Sequence, residues 1–149
     1  MYVSIFELFK IGIGPSSSHT VGPINASLSF ISFLKSNNIS ISKIKINLYG
    51  SLSFTGKGHG TDIGIIAGLL GYSPDELDIK LLNDQIIDIN SKKEIYIKNL
   101  DCRIPFISSE TIEFTNRALP KHKYSNVLEY IAIDSFGKQA AKKIYYSIG

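Results

Sequence analysis

The chain contains no tryptophan, one methionine, one cysteine, three histidines and five prolines among its 149 residues. The lone cysteine, Cys102, excludes an internal disulfide framework, and a single thiolate cannot hold a structural zinc or an iron–sulfur cluster. With only Arg103 beside it to favour the thiolate, it reads as a structural thiol rather than a nucleophile. No apolar run approaches the roughly 20 residues of a membrane-spanning helix. The opening Met1-Tyr2-Val3 leads directly into Ser4-Ile5-Phe6-Glu7-Leu8-Phe9-Lys10, without the basic start, long apolar centre and cleavage site of a signal peptide, so a soluble, cytoplasmic protein is expected. Charge of one sign is scarce as well: 16 Lys and Arg against 13 Asp and Glu leave +3. That excess is dispersed, and Lys92-Lys93 and Lys142-Lys143 read as solvated faces, so neither nucleic acid nor a membrane is an expected partner.

What is present fits one domain with a sizeable core, since 44% of the residues are hydrophobic and 19% are charged. Two stretches stand out. The first, Ile13-Gly14-Pro15-Ser16-Ser17-Ser18-His19-Thr20-Val21-Gly22-Pro23, gathers hydroxyls, one imidazole and glycines just before a helical pattern. Ser16, Ser17, Ser18 and Thr20 are N-cap candidates, and the first-turn amides behind them suit a carboxylate or phosphate. His19 adds a group that titrates near neutral pH. A cap needs one hydroxyl rather than four, which favours a ligand wall here, although a cap with a solvated turn accounts for the same residues. The second stretch, Tyr49 to Asp62, is a glycine-rich loop that carries Lys57, His59, Thr61 and Asp62 and ends at another helix. Gly58 and His59 follow Lys57 where a phosphate-binding loop requires Ser or Thr, so nucleotide binding is rejected.

Spacing fills in the rest. Ile5, Leu8 and Phe9 predict a short amphipathic helix over Ser4–Phe9. Val21, Ile24, Leu28, Ile31 and Leu34 predict a helix ending near Asn37-Asn38, with Pro23 tolerated in its first turn. Lys43 to Leu48 alternates as a strand. Thr61 or Asp62 is expected to cap a uniformly apolar helix, Ile63 to Leu70, stopped by Gly71. Ser73-Pro74-Asp75 reads as a turn and Leu81 to Ile89 as a helix. Glu94 to Ile97, Thr111 to Phe114, Tyr130 to Ile133 and Lys142 to Ser147 read as strands. Helices at the front and strands at the back predict a single α+β domain with a mixed or antiparallel sheet.

Three groups of motifs then carry a resemblance: Ser4 through Pro23; Tyr49-Gly50-Ser51-Leu52 with Thr55-Gly56-Lys57-Gly58-His59 and Thr61-Asp62; and Leu119-Pro120 and His122 with the terminal Tyr145-Tyr146-Ser147-Ile148-Gly149. In this order they resemble the N-terminal β domain of bacterial iron–sulfur-dependent L-serine dehydratases, or L-serine ammonia-lyases, along the whole chain. The resemblance implies a fold similar to the allosteric substrate-binding domain of some phosphoglycerate dehydrogenases. It also implies conversion of L-serine to pyruvate and ammonia, with a 4Fe-4S cluster held by an α domain, or a separate α chain, that this sequence lacks. The family's chain continues into that α domain whereas this one stops at Gly149, so a separate α chain or a truncated or split gene is expected. A homodimer is compatible with the resemblance.

On the same footing, Ser16, Ser17, Ser18, His19 and Thr20 form one wall of the L-serine site and Lys57, His59, Thr61 and Asp62 the other. Lys57 or a helix N-terminus would take the carboxylate, Asp62 the ammonium, and His19 or His59 would move or orient a proton. Asp62 as a mere cap remains the alternative. The family pattern Leu-Pro-x-His-x-Asn departs here, because Tyr124 stands at the asparagine position and Asn126 follows two residues later. His122 and Asn126 are therefore candidates for a substrate or regulatory role, and His122 reads equally as a surface histidine. Two other readings stay open. One is a serine-binding regulatory module without chemistry. The other is a free-standing hydrolase built from a serine, a histidine and Asp62, which ranks last because Gly-x-Ser-x-Gly is absent.

Overall fold

The centre of the molecule is strand β1 (Lys43–Gly50), which has a partner on each edge. Our computed structural model describes residues 20–50, 60–115 and 126–146. In chain order the elements are α1 (Val21–Ser36), β1, α2 (Thr61–Leu70), a 3-10 turn (Pro74–Glu76), α3 (Ile79–Lys92), β2 (Glu94–Ile97), a 3-10 turn (Lys98–Leu100), β3 (Cys102–Pro105), the short α4 (Ser108–Thr111), β4 (Ile112–Phe114), β5 (Asn126–Ile133) and β6 (Gln139–Tyr146). Strands β4, β1, β5 and β6 make a four-stranded sheet in that order, and β2 and β3 a separate hairpin. The β1–β4 pair is parallel and β1–β5 and β5–β6 are antiparallel, so the sheet is mixed and the domain α+β, as expected.

Alternation decides the faces. Ile44, Ile46 and Leu48 of β1 lie in register with Ala132, Tyr130 and Leu128 of β5, and all six are buried in the core under the helices. The residues between them, Lys45, Asn47 and Tyr49, fall on the opposite face. Above the core, α1 packs on the sheet: its Phe30 ring lies 5.2 Å from that of Tyr130, and Lys143 of β6 places its ammonium 4.5 Å from the centre of the Phe33 ring. The predicted apolar stripe of α1 is rotated slightly. Ser27 and Phe30 are buried where Leu28 is only partly so, because Ser27 finds hydrogen-bond partners inside the core.

Helix α2 is nearly all apolar and buried, and Gly71 stops it in the left-handed conformation with φ 101°. Its start differs from expectation. Gly60 occupies the N-cap with φ 79° and makes no side-chain cap, so Thr61 and Asp62 lie inside the first turn rather than capping it. Thr20 does stand at the N-cap of α1, but its hydroxyl makes no capping bond either. Helix α3 is longer than its predicted segment, since Asp78 caps it by accepting a 3.0 Å hydrogen bond from the Leu81 amide.

Thr111 closes the short helix α4 instead of opening β4. Strand β3 went unpredicted, because its four residues, Cys102 to Pro105, carry charge and proline, and only pairing with β2 defines them. Strands β5 and β6 both start earlier than their alternation suggests, at Asn126 and Gln139. The predicted Ser4–Phe9 helix and residue Ser147 lie outside the described residues. No helix among the described residues is long and apolar enough to cross a membrane.

Candidate functional site

Two glycines of α2 fix where the helices begin. A Cβ on Gly64 would stand 2.8 Å from the Thr20 carbonyl oxygen, and one on Gly68 would stand 2.5 Å from the Ser27 Cβ and closer still to the Ile24 carbonyl oxygen. Residue numbers rise together along both contact rows, so α1 and α2 run parallel with their backbones almost touching. Their N-termini therefore lie side by side. Thr20 is 1% exposed and Thr61 0% exposed, while Val21, Gly22, Gly60 and Asp62 beside them are half-buried, so the helix starts reach the surface with the two threonines turned inward.

The sheet delivers further chain ends to the same edge. Helix α1 passes into β1 through the short link 37–42, where the Ser42 amide donates to the Ile133 carbonyl at 2.8 Å, so α1 runs back along the sheet against β1. Ser27 is level with Tyr130, and the two remaining turns toward Thr20 cover roughly 10 Å of the roughly 13 Å that separates Tyr130 from the Asn126 end of β5. At that end Gly50 pairs with Asn126 and Tyr146 with Val127, while the Thr115 amide and hydroxyl both donate to the Leu48 carbonyl at 3.0 Å. Thr20, Gly50, Gly60, Thr115, Asn126 and Tyr146 thus share one edge of the molecule.

Of the residues singled out in the sequence, Thr20, Thr61, Asp62 and Asn126 are described, and all four belong to this edge; each has an interaction partner. Ser16, Ser17, Ser18, His19, Lys57, His59 and His122 lie outside the described residues. Electrostatically the edge carries the positive ends of two parallel helices, with Asp62 as the acidic residue in the first turn of α2 and none in the first turn of α1. Such an arrangement suits a ligand that bears a carboxylate and an ammonium together.

Sequence reasoning missed a polar cluster on the face of the sheet away from the helices. Glu129 is 7% exposed; its carboxylate accepts hydrogen bonds from Asn47 Nδ2 at 2.8 Å and Tyr49 OH at 3.3 Å, and Lys142 Nζ lies 3.2 Å from its other oxygen. Burial pushes the carboxyl up, but the hydrogen bonds from Asn47, Lys142 and Tyr49 and the Lys142 charge outweigh it and hold the group below its ordinary value. The carboxylate also dictates the Asn47 amide orientation, which leaves the Asn47 Oδ1 buried without a hydrogen-bond partner. Alternation in Lys43 to Leu48 could place Asn47 on the face away from the core, but its pairing with Glu129 is a matter of register that only the folded sheet fixes.

Cys102 sits in β3, away from this edge, and burial followed by the nearby Asp101 pushes its thiol up, which suits an inert side chain. One such thiol does not fit a four-cysteine cluster, and among the described residues no group of three His, Cys, Asp or Glu side chains is placed to hold a metal ion.

Residues 4–149 match the family described as serine dehydratase beta chain. The chain belongs to the serine dehydratase beta-chain family. Among its relatives, L-serine dehydratase 2 of Escherichia coli (strain K12) is 40% identical over 149 residues, covering 99% of this chain and 32% of the relative. The L-serine dehydratase of Streptomyces coelicolor is 40% identical over 152 residues, covering 100% of this chain and 33% of the relative. Another Escherichia coli protein, L-serine dehydratase TdcG, is 41% identical over 149 residues, with 99% and 32% covered. This serine dehydratase beta chain thus spans about a third of the length of the curated relatives it matches.

Proposed function

We propose that the chain is the β part of an L-serine ammonia-lyase and that its converging edge forms one side of the L-serine site, completed by an α part that corresponds to the other two thirds of its relatives. The observation that carries this reading is the side-by-side start of α1 and α2. In the sequence His19 directly precedes Thr20 and His59 directly precedes Gly60, the two residues at these helix starts. In this reading the two helix N-termini and Lys57 hold the serine carboxylate, and Asp62 takes the ammonium. Ser16, Ser17 and Ser18 line the walls, the buried Thr20 and Thr61 support the two helix starts, and His19 or His59 handles or orients the proton that leaves with water. The dehydrated product, an aminoacrylate, then hydrolyses to pyruvate and ammonia. An iron–sulfur cluster, if the enzyme uses one, belongs to the α part, because the residues of this chain do not fit it. A cytoplasmic location accords with this metabolic role.

Calorimetric titration of L-serine into the chain combined with an α part tests the reading. Lys57→Ala removes a charge-assisted contact of about 1.5–3 kcal/mol, so affinity is expected to fall about tenfold to more than a hundredfold with the melt unchanged. Ser17→Ala acts in the same direction through about 1 kcal/mol. Unchanged affinity in both variants overturns the assignment of the two walls, and binding of serine without turnover favours a regulatory module instead.

A further inference from the structure

Ser27 is a polar residue at 0% exposure in the middle of α1, where an apolar side chain would pack more simply. Its hydroxyl donates to the Ile65 carbonyl of α2 at 3.0 Å and lies 2.6 Å from the Tyr130 hydroxyl. A serine hydroxyl has one proton, and a carbonyl only accepts, so that proton goes to Ile65 and Tyr130 must donate to Ser27. The result is a directed chain from the sheet through α1 into α2, Tyr130 OH to Ser27 Oγ to Ile65 O, buried where water cannot replace any link.

Gly68 explains why the chain is needed. With no side chain at Gly68, the backbones of α1 and α2 approach to contact, with nothing larger than the Ser27 Cβ facing that point. Close approach fixes how far apart the two helices lie, and the Pro23 and Ile24 side chains beside Gly64 limit sliding by packing alone. A hydrogen bond weakens steeply with angle, so the one from Ser27 to Ile65 adds a directional restraint on sliding that packing does not supply. Sliding is the displacement that would shift Thr20 relative to Thr61, hence one wall of the proposed site relative to the other.

We propose that Ser27 is a positioning residue for the serine site: through the Ile65 carbonyl it sets the axial register of α1 against α2 and so the relative height of the two helix starts. This inference rests on the proposed function for its kinetic consequence and on the geometry of the fold for its structural one.

Ser27→Ala is the informative variant, because it keeps the Cβ that Gly68 accommodates and removes only the hydroxyl. Tyr130→Phe is its control, since it removes one hydrogen bond from the same network but leaves the Ser27 to Ile65 link intact. With the chain combined with its α part, Ser27→Ala is expected to lower kcat/KM for L-serine about tenfold, whereas Tyr130→Phe stays within about twofold of wild type; both lower Tm, Ser27→Ala the more, because it breaks both hydrogen bonds and leaves the buried Tyr130 hydroxyl unpaired. Amide hydrogen exchange on the chain supplies a readout independent of turnover. Ser27→Ala should speed exchange at the Ile24 and Gly64 amides, which close the first turns of α1 and α2 on Thr20 and Gly60, beyond what its loss of global stability accounts for, whereas in Tyr130→Phe exchange there should follow global stability. Exchange that follows global stability in both variants, or kinetic losses that track Tm in both, overturns the proposal. If wild type with its α part does not turn over L-serine, the proposed function falls, and the exchange comparison alone decides whether Ser27 sets the register.

Discussion

Glu129 shows what one carboxylate contributes when three donors converge on it. Its folded-state pKa is depressed, so the stability it adds is fully present above its unfolded value near 4.5 and is lost as pH falls through the lower folded value. Acid unfolding of the wild type should therefore steepen below about pH 4.5. Glu129→Gln should be less stable at pH 7 by about 1.5–3 kcal/mol and should lose less on acidification, which denaturant melts at pH 7 and pH 4 measure. Equal pH dependence in both would mean that the Lys142 and Asn47 contacts add nothing. At this scale the sequence was legible where chemistry is local. Cys102 could be read as a structural thiol from its solitude, and burial pushes its thiol up accordingly. Glu129 escaped notice because its partners Asn47 and Lys142 come from strands whose register only the folded sheet fixes.

Elements were legible where a stripe or an alternation ran long enough. The bounds of α1, the strand character of Lys43 to Leu48 and the Gly71 stop all follow from local pattern. The caps did not, because a hydroxyl before a helix looks the same in sequence whether it caps or is drawn elsewhere, and a glycine with positive φ took the position before Thr61. The contact between α1 and α2 was equally hidden: glycine lowers helix propensity wherever it stands, and nothing in the sequence marks Gly64 and Gly68 as the points where the backbones meet. Gly68→Ala gains about 1 kcal/mol of helix propensity, but its methyl meets Ile24 and Ser27, an overpacking that costs about 1–3 kcal/mol. The expected outcome is a lower Tm with α1 and α2 forced apart, and a raised Tm would show that the helices part freely.

For the whole molecule, the chain belongs to the serine dehydratase beta-chain family and spans about a third of the length of its relatives, and the proposed function has it work with an α part. The purified chain is expected to give no pyruvate from L-serine and no iron–sulfur absorbance after anaerobic reconstitution, and to support turnover only with an α part. A stoichiometric cluster on this chain would overturn that division of labour, since Cys102 is its sole cysteine. The mixed order of the four-stranded sheet has a further consequence for how the protein is made. Asn47 of the central strand meets Glu129, 82 residues later in the chain, so β1 leaves the ribosome long before the strand that pairs along its full length exists. At about 5–20 residues per second that interval lasts roughly 4–16 s. Until β4 and then β5 follow, the two edges of β1 stay open in turn to every other nascent chain nearby, and α1, already synthesised, can shelter its apolar face but neither edge.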